Sequence, residues 1–308
     1  MNNTLWEKCL DTKLLFVLGK GGVGRTSVST SIAAKAASLG RRSLLVQWSM
    51  TDVVGQHIYN SYVDHQAKEV HPNLWVMNFN PQEAIKEYFV KYLKLKLLYS
   101  VAIENRHVQK LIQAAPGVHE LFFLGRLYWL TELAYDSTSV PFDNIVIDTP
   151  ATGHGLGLFS IPETVAGFGL TGPIAAECKK VLALLADPEK VGSLFVTLPE
   201  ELPVQETLEG ISTYNNIMHR NPLGIVVNRA LDSSLQASIS DITELKGEEK
   251  GTAAQHESLL NSLRKRNEYT KAVQEKSGLQ TAQLPDAFFT VPSPDQRSVV
   301  EHMIKSME

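Results

Sequence analysis

The run Gly19-Lys20-Gly21-Gly22-Val23-Gly24-Arg25-Thr26-Ser27 sets four glycines, two cations and two hydroxyls within nine residues. Glycines let consecutive backbone N–H groups turn toward one point and cradle phosphate oxygens, and a helix starting just after them adds the partial positive charge of its N-terminus. From Gly19 to Thr26 the spacing is that of a phosphate loop, G-x-x-x-x-G-K-[ST], with Arg25 in the lysine position. Arginine keeps the charge, but its planar fork does not act as a compact point charge. Thr26 supplies a hydroxyl of the kind that ligates Mg²⁺. The plain alternative is a glycine turn that only caps a helix. The apolar run before it and the helix-compatible run Val28–Leu39 after it favour phosphate binding.

A second constellation is Asp148-Thr149-Pro150-Ala151-Thr152-Gly153-His154-Gly155. Its carboxylate follows an apolar strand, the edge of a parallel sheet where ligands bind, and suits a Mg²⁺-bound water. Taken alone Asp148 reads as a turn former; beside a phosphate loop it reads as part of a metal shell. The Thr-Gly-His stretch forms a loop able to move with a terminal phosphate. His154 itself is as well explained by a polar contact as by base chemistry.

These groups need a scaffold that holds them at one sheet edge. Continuous apolar runs occur at 13–18, 43–47, 74–79, 144–148, 193–197, 223–228 and 288–291. Runs without polar alternation, separated by helical stretches, predict parallel strands covered on both faces, hence a doubly wound, mostly parallel α/β sheet. Pro81 to Tyr135 reads as wholly helical, broken once at Ala115-Pro116-Gly117, and a further helical stretch runs from Glu163 to Ala186. The expected organisation is a nucleotide-binding core of residues 1–80 and 141–308 with a helical insertion over 81–140, which part of 163–187 joins. Residues Leu231–His256, rich in Ser, Thr, Glu and Ala, read as exposed helix or loop.

The chain has 308 residues, 44% hydrophobic and 20% charged, ample for a large core. A net charge of −4 lacks the basic excess of a duplex binder, so no DNA partner is expected. Cys9 and Cys178 build neither a disulfide framework nor a Cys-x-x-Cys zinc site. With no leader-like apolar run at the start and no stretch of about 20 apolar residues, a cytoplasmic chain without membrane contact is expected.

Taken together the segments resemble the ArsA-type anion-transporting ATPases, the family of the arsenite-pump and tail-anchored-protein targeting ATPases, within the wider MinD and ParA group of P-loop NTPases. The resemblance is carried by GKGGVGRTS at 19–27, DTPATGHGLGLFSIP at 148–162 and APGVHELFFLGRL at 115–127, and more weakly by VQETLEG at 204–210 and GIVVNR at 224–229. It implies Mg²⁺-ATP as ligand and a face-to-face dimer. Lys20 falls on the signature lysine that reaches the partner's phosphates, and Gly19, Gly21, Gly22, Val23, Gly24, Arg25, Thr26 and Ser27 fall on the phosphate cradle. Thr26 and Asp148 fall on the Mg²⁺ shell, Asn228 on the adenine-reading asparagine, Glu206 on a glutamate near the nucleotide, and Pro292 on the segment covering the base. The helical insertion corresponds to the client-binding part of the targeting members.

Two departures from the family pattern bear on turnover. Arg25 replaces the P-loop lysine, and in Gln47-Trp48-Ser49-Met50-Thr51-Asp52 the best register sets Ser49 on the water-orienting catalytic aspartate. Serine accepts no proton at neutral pH, and Asp52 substitutes only if the loop is re-routed. Loss of such groups costs several kcal/mol of barrier. Three readings follow: an ATPase or ATP-driven conformational switch, slow or without turnover; an impaired relative that serves as the regulatory half of a heterodimer; and a MinD- or ParA-like positioning ATPase. In the insertion, Ile85, Tyr88, Phe89, Tyr92, Leu93, Leu97 and Leu98 near helical spacing read either as core or as a groove for a partner helix or a membrane-surface contact.

Overall fold

In the computed structural model the described residues are 4–49, 51–92, 94, 117–133, 140–150, 155–167, 173–231, 250–287 and 295–307. The chain runs α1 (Leu5–Asp11), β1 (Leu14–Leu18), α2 (Arg25–Ser38), β2 (Ser43–Gln47), β3 (Lys68–His71), β4 (Leu74–Asn78), α3 (Pro81–Glu87), α4 (Val118–Tyr128), β5 (Asn144–Asp148), α5 (Gly157–Gly167), α6 (Pro173–Ala186), β6 (Val191–Thr197), α7 (Glu201–Met218), β7 (Gly224–Ala230), α8 (Lys250–Ser277), β8 (Thr281–Pro285) and α9 (Gln296–Lys305). Single π-helical turns stand at Val54–Ile58 and extend α3 over Tyr88–Tyr92 and α4 over Trp129–Leu133.

The strands form one eight-stranded sheet in the order β3-β4-β2-β5-β1-β6-β7-β8, parallel except for the β3–β4 pair. From β1 the chain works outward on one side, returns to β5 beside β1, and then builds the other side from β6. The direction reverses at β1, the switch point where α/β sheets bind ligands at their carboxyl ends.

Side chains alternate across the sheet. Leu14, Phe16 and Leu18 enter one core with Phe123 and Leu127 of α4, Phe159 of α5, Val181 of α6 and Tyr214 of α7. Leu15 and Val17 enter the opposite core with Cys9 of α1, Val28 and Ile32 of α2, and Val300 and Met303 of α9. Helices on both faces account for the continuous apolar strands. Within the stretch Pro81–Tyr135, residues 81–92 and 118–133 are helical while Lys94 is not, and α4 shares its core with β1, β2 and β5.

Several elements went unread in the sequence, and three of them show why. The edge strand β3, Lys-Glu-Val-His, lies largely exposed and antiparallel, and β8 at the other edge is only partly covered, so neither needs an apolar run. The third is α1, whose start is fixed by a capping box in which Thr4 Oγ1 accepts from the Glu7 amide while Glu7 accepts from Thr4 N. The anticipated strand at 288–291, the Ala115-Pro116 break and most of Leu231–His256 lie outside the described residues.

Candidate nucleotide site

Between β1 and α2 the loop turns tightly against its neighbours. A Cβ on Gly24 (φ +89°) would lie 2.2 Å from Asn228 Nδ2, and one on Gly19 would lie 2.5 Å from the Val196 carbonyl oxygen, so both close approaches require glycine. Gly21 and Gly22 have open space around them. Val23 anchors the loop by burying its side chain under β1. With Gly24 at its N-cap, α2 begins without a side-chain cap, so its first N–H groups are not occupied by a capping side chain. The buried hydroxyls of Ser29, Thr30 and Ser31 donate to the carbonyls of Arg25, Thr26 and Ser27, which lets polar residues sit against the sheet without loss.

At the mouth of α2, Thr26 Oγ1 donates to Asp148 Oδ2 at 2.6 Å. The other carboxylate oxygen, Asp148 Oδ1, is buried with no hydrogen-bond partner. Burial pushes the Asp148 carboxyl above the usual carboxylate range, against the Thr26 hydrogen bond and the Arg25 charge. A buried, half-satisfied carboxylate next to a hydroxyl at the end of a phosphate loop fits a hydrated Mg²⁺. Thr149 Oγ1 turns back to the Val17 carbonyl at 2.6 Å, tying the start of this loop to β1.

Arg25 is engaged by the segment that follows Asp148. Its guanidinium donates to the Thr149 carbonyl, to Thr149 Oγ1 at 3.3 Å and to the Pro150 carbonyl at 2.7 Å. Burial lowers its pKa, and the Asp148 charge works against that shift. Lys20 pairs within the chain with Glu206, Nζ to Oε1 at 3.2 Å, both side chains partly exposed. Asn228 is buried and engaged at both ends: Nδ2 donates to the Val23 carbonyl at 2.9 Å, and Oδ1 accepts from the Arg229 amide at 2.9 Å. Beside it Gly24, Ser27, Asp286, Ala287, Val299 and Met303 line a cavity of about 410 Å³. Arg266 of α8 bonds the Arg229 carbonyl and, at 3.0 Å, Asp286, fixing one wall of that cavity. Pro292 and His154 lie outside the described residues.

The loop after β2 divides the two candidates for water positioning. Ser49 is half-buried; its amide donates to Asn78 Oδ1 at 3.1 Å, and its hydroxyl accepts from the Thr51 amide at 3.4 Å. Beside it opens a cavity of about 770 Å³ lined in part by Trp48, Ser49, Tyr62, Asn78 and Asn80. Asp52 is buried and caged: Oδ1 accepts from Gln47 Nε2 at 2.7 Å and the Gly55 amide at 2.8 Å, and Oδ2 accepts from the Val63 amide at 2.7 Å. Through these bonds its carboxylate holds the π-turn and the return segment together. Asn78, Gln47 and Thr149 were missed by sequence reasoning. Their only signal is their place at or beside the carboxyl ends of β4, β2 and β5.

A parallel sheet reversing at β1, with a glycine loop leading into an uncapped helix and a carboxylate at the end of β5, defines a P-loop nucleotide-binding fold. The family model described as Anion-transporting ATPase matches residues 12–169, just over half of the chain, and the chain belongs to that family. ATPase BagA of Mycobacterium tuberculosis is 28% identical over 233 residues, 73% of this chain and 67% of that protein. The arsenical pump-driving ATPase of Escherichia coli is 26% identical over 238 residues, 71% of this chain but 40% of that protein. Its counterpart in Acidiphilium multivorum is 29% identical over 211 residues, 62% of this chain and 35% of that protein. Among the described residues no helix is long and apolar enough to cross a membrane, and no group of three or more His, Cys, Asp and Glu side chains is placed to hold a metal.

Proposed function

We propose that the chain binds Mg²⁺-ATP in the loop Gly19–Ser27 and acts as a nucleotide-gated switch with slow or absent turnover. The observation that carries this is the Thr26–Asp148 bond at the mouth of an uncapped α2, with Asp148 Oδ1 left without a partner. Backbone N–H groups of the loop bind phosphate oxygens, and Thr26 and Asp148 hold the ion and its waters. When bound, Mg²⁺ neutralises charge on the phosphates. The Gly24–Met303 cavity takes the base, with Asn228 forming its floor. Lys20 serves a second copy or a paralogue after leaving Glu206, and the helical part of the chain around α3 and α4 receives a protein partner.

Turnover is slow in this reading because Ser49 stands where a carboxylate is needed, Asp52 is caged, and Arg25 is held by carbonyls. The same three observations favour a second reading, a regulatory half that binds ATP without turnover and works with an active paralogue. The discriminating experiment measures phosphate release and bound nucleotide in one tube at saturating Mg²⁺-ATP, against Gly24→Val. Turnover above that control supports an ATPase, bound ATP without release supports the regulatory half, and no ATP bound by the parent chain refutes both. Recovery of turnover in Ser49→Asp shows that one missing carboxylate accounts for the slow chemistry.

A further inference from the structure

Outside the nucleotide site lies a carboxylate with an unusual number of partners. Glu87, the last residue of α3, is 4% exposed. Its Oε2 accepts from His65 Nε2 at 3.2 Å and lies 3.3 Å from Arg126 of α4; its Oε1 accepts from Lys91 at 2.9 Å and Gln66 at 2.9 Å. Burial alone would raise its pKa, but the His65 hydrogen bond, the Arg126 charge and the bonds from Lys91 and Gln66 hold it below the usual carboxylate range. The second ring nitrogen of His65, Nδ1, accepts from the Asn80 amide at 3.1 Å, so the ring meets Glu87 through Nε2.

From His65 the contacts lead to Ser49. The Asn78 amide donates to the Asp64 carbonyl at 2.7 Å, and Asn78 Oδ1 accepts from the Ser49 amide. Trp48, the neighbour of Ser49, packs on Phe79 and on Phe123 of α4, with ring centroids 5.1 and 5.0 Å apart. An ion pair this deeply buried is a poor source of stability compared with apolar packing. It does supply direction, because each partner must meet the carboxylate at a defined angle.

We infer that Glu87 is a positioning residue: it registers the loop between β2 and β3 against α3 and α4, so the place of Ser49 depends on those two helices. The inference rests on the nucleotide reading only for the meaning of Ser49. It supplies the route by which a partner on α3 and α4 is felt at the site.

Hydrogen exchange on the full chain, nucleotide-free, comparing the parent with Glu87→Gln/Arg126→Met tests it. The double change removes both buried charges and leaves neither orphaned. Amides of 49–55 and 63–66 are expected to exchange about tenfold faster, with β1, β5 and β6 unchanged. Parent-like rates over 49–55, with loosening confined to α3 and α4, overturn the inference. Should the double variant not fold, His65→Leu/Gln66→Leu cuts both bonds from the loop while leaving Glu87 with Arg126 and Lys91, and the same readout applies. With Mg²⁺-ATP added, the parent is expected to change exchange in both 49–55 and 118–128. The double variant is expected to bind ATP within about threefold of the parent and to lose the change in 118–128. A retained change there also overturns the inference. A parent chain that binds no ATP defeats the nucleotide reading alone, and the nucleotide-free exchange rates still decide the role of Glu87.

Discussion

Arg25 and Pro150 are joined by a 2.7 Å hydrogen bond from guanidinium to carbonyl, with Thr149 taken by the same nitrogen. The cation of the phosphate loop thereby restrains the segment that follows Asp148. A charged hydrogen bond to a bound phosphate contributes about 1.5–3 kcal/mol, roughly ten- to a hundredfold in affinity. As a tether to carbonyls, Arg25 contributes little to binding. Arg25→Ala is therefore expected to keep ATP affinity within about threefold, by calorimetric titration, while raising hydrogen exchange at the Thr149 amide. A hundredfold loss of affinity would show that the guanidinium swings onto phosphate.

Gly24→Ala places a methyl 2.2 Å from Asn228 Nδ2 at a backbone φ of +89°. Strain and overpacking together should destabilise the fold by roughly 2–4 kcal/mol. Urea unfolding with and without ATP is the check, and ATP is expected to give this variant no extra stability.

The Lys20–Glu206 pair is partly exposed, so breaking it should cost no more than about 1 kcal/mol of stability. Glu206→Gln releases Lys20 for a second copy. Sedimentation velocity with ATP is expected to show stronger self-association than the parent, with thermal unfolding nearly unchanged. Weaker association would mean that Glu206 itself belongs to the interface.

Glu87 gives stability a defined pH dependence. In the unfolded chain it titrates near about 4.3, and in the fold its pKa is depressed through His65, Arg126, Lys91 and Gln66. Its contribution is present above the unfolded value and is lost as pH falls toward the folded one. Urea midpoints of the parent should therefore drop below about pH 4.5 more steeply than those of Glu87→Gln/Arg126→Met. Equal slopes would remove Glu87 as the cause.

The sequence carried β1, β2 and β5 plainly because both faces of each are buried, which makes β1 wholly apolar and leaves polar residues only at the two ends of β2 and β5. It carried the glycine loop for the same kind of reason, since only glycine tolerates the contacts at 19 and 24. It could not carry the direction of Arg25, whose partners stand 124 and 125 residues away and depend on β1 and β5 lying side by side. Asp52 was legible as a carboxylate near the site, but its cage needs the π-turn that brings the Gly55 amide to it and the return that brings Val63. Edge strands such as β3 left no trace because solvent on one side relaxes the demand on residue type.

The Asn228 amide, spanning the Val23 carbonyl and the Arg229 N–H, has a kinetic consequence. Part of the phosphate loop's freedom is surrendered when β7 forms, so less disorder remains to be lost when a ligand arrives. Capture from solution then approaches a single-step encounter with a prepared surface, whereas a chain lacking this amide must first sample loop shapes and would associate more slowly at equal contact strength.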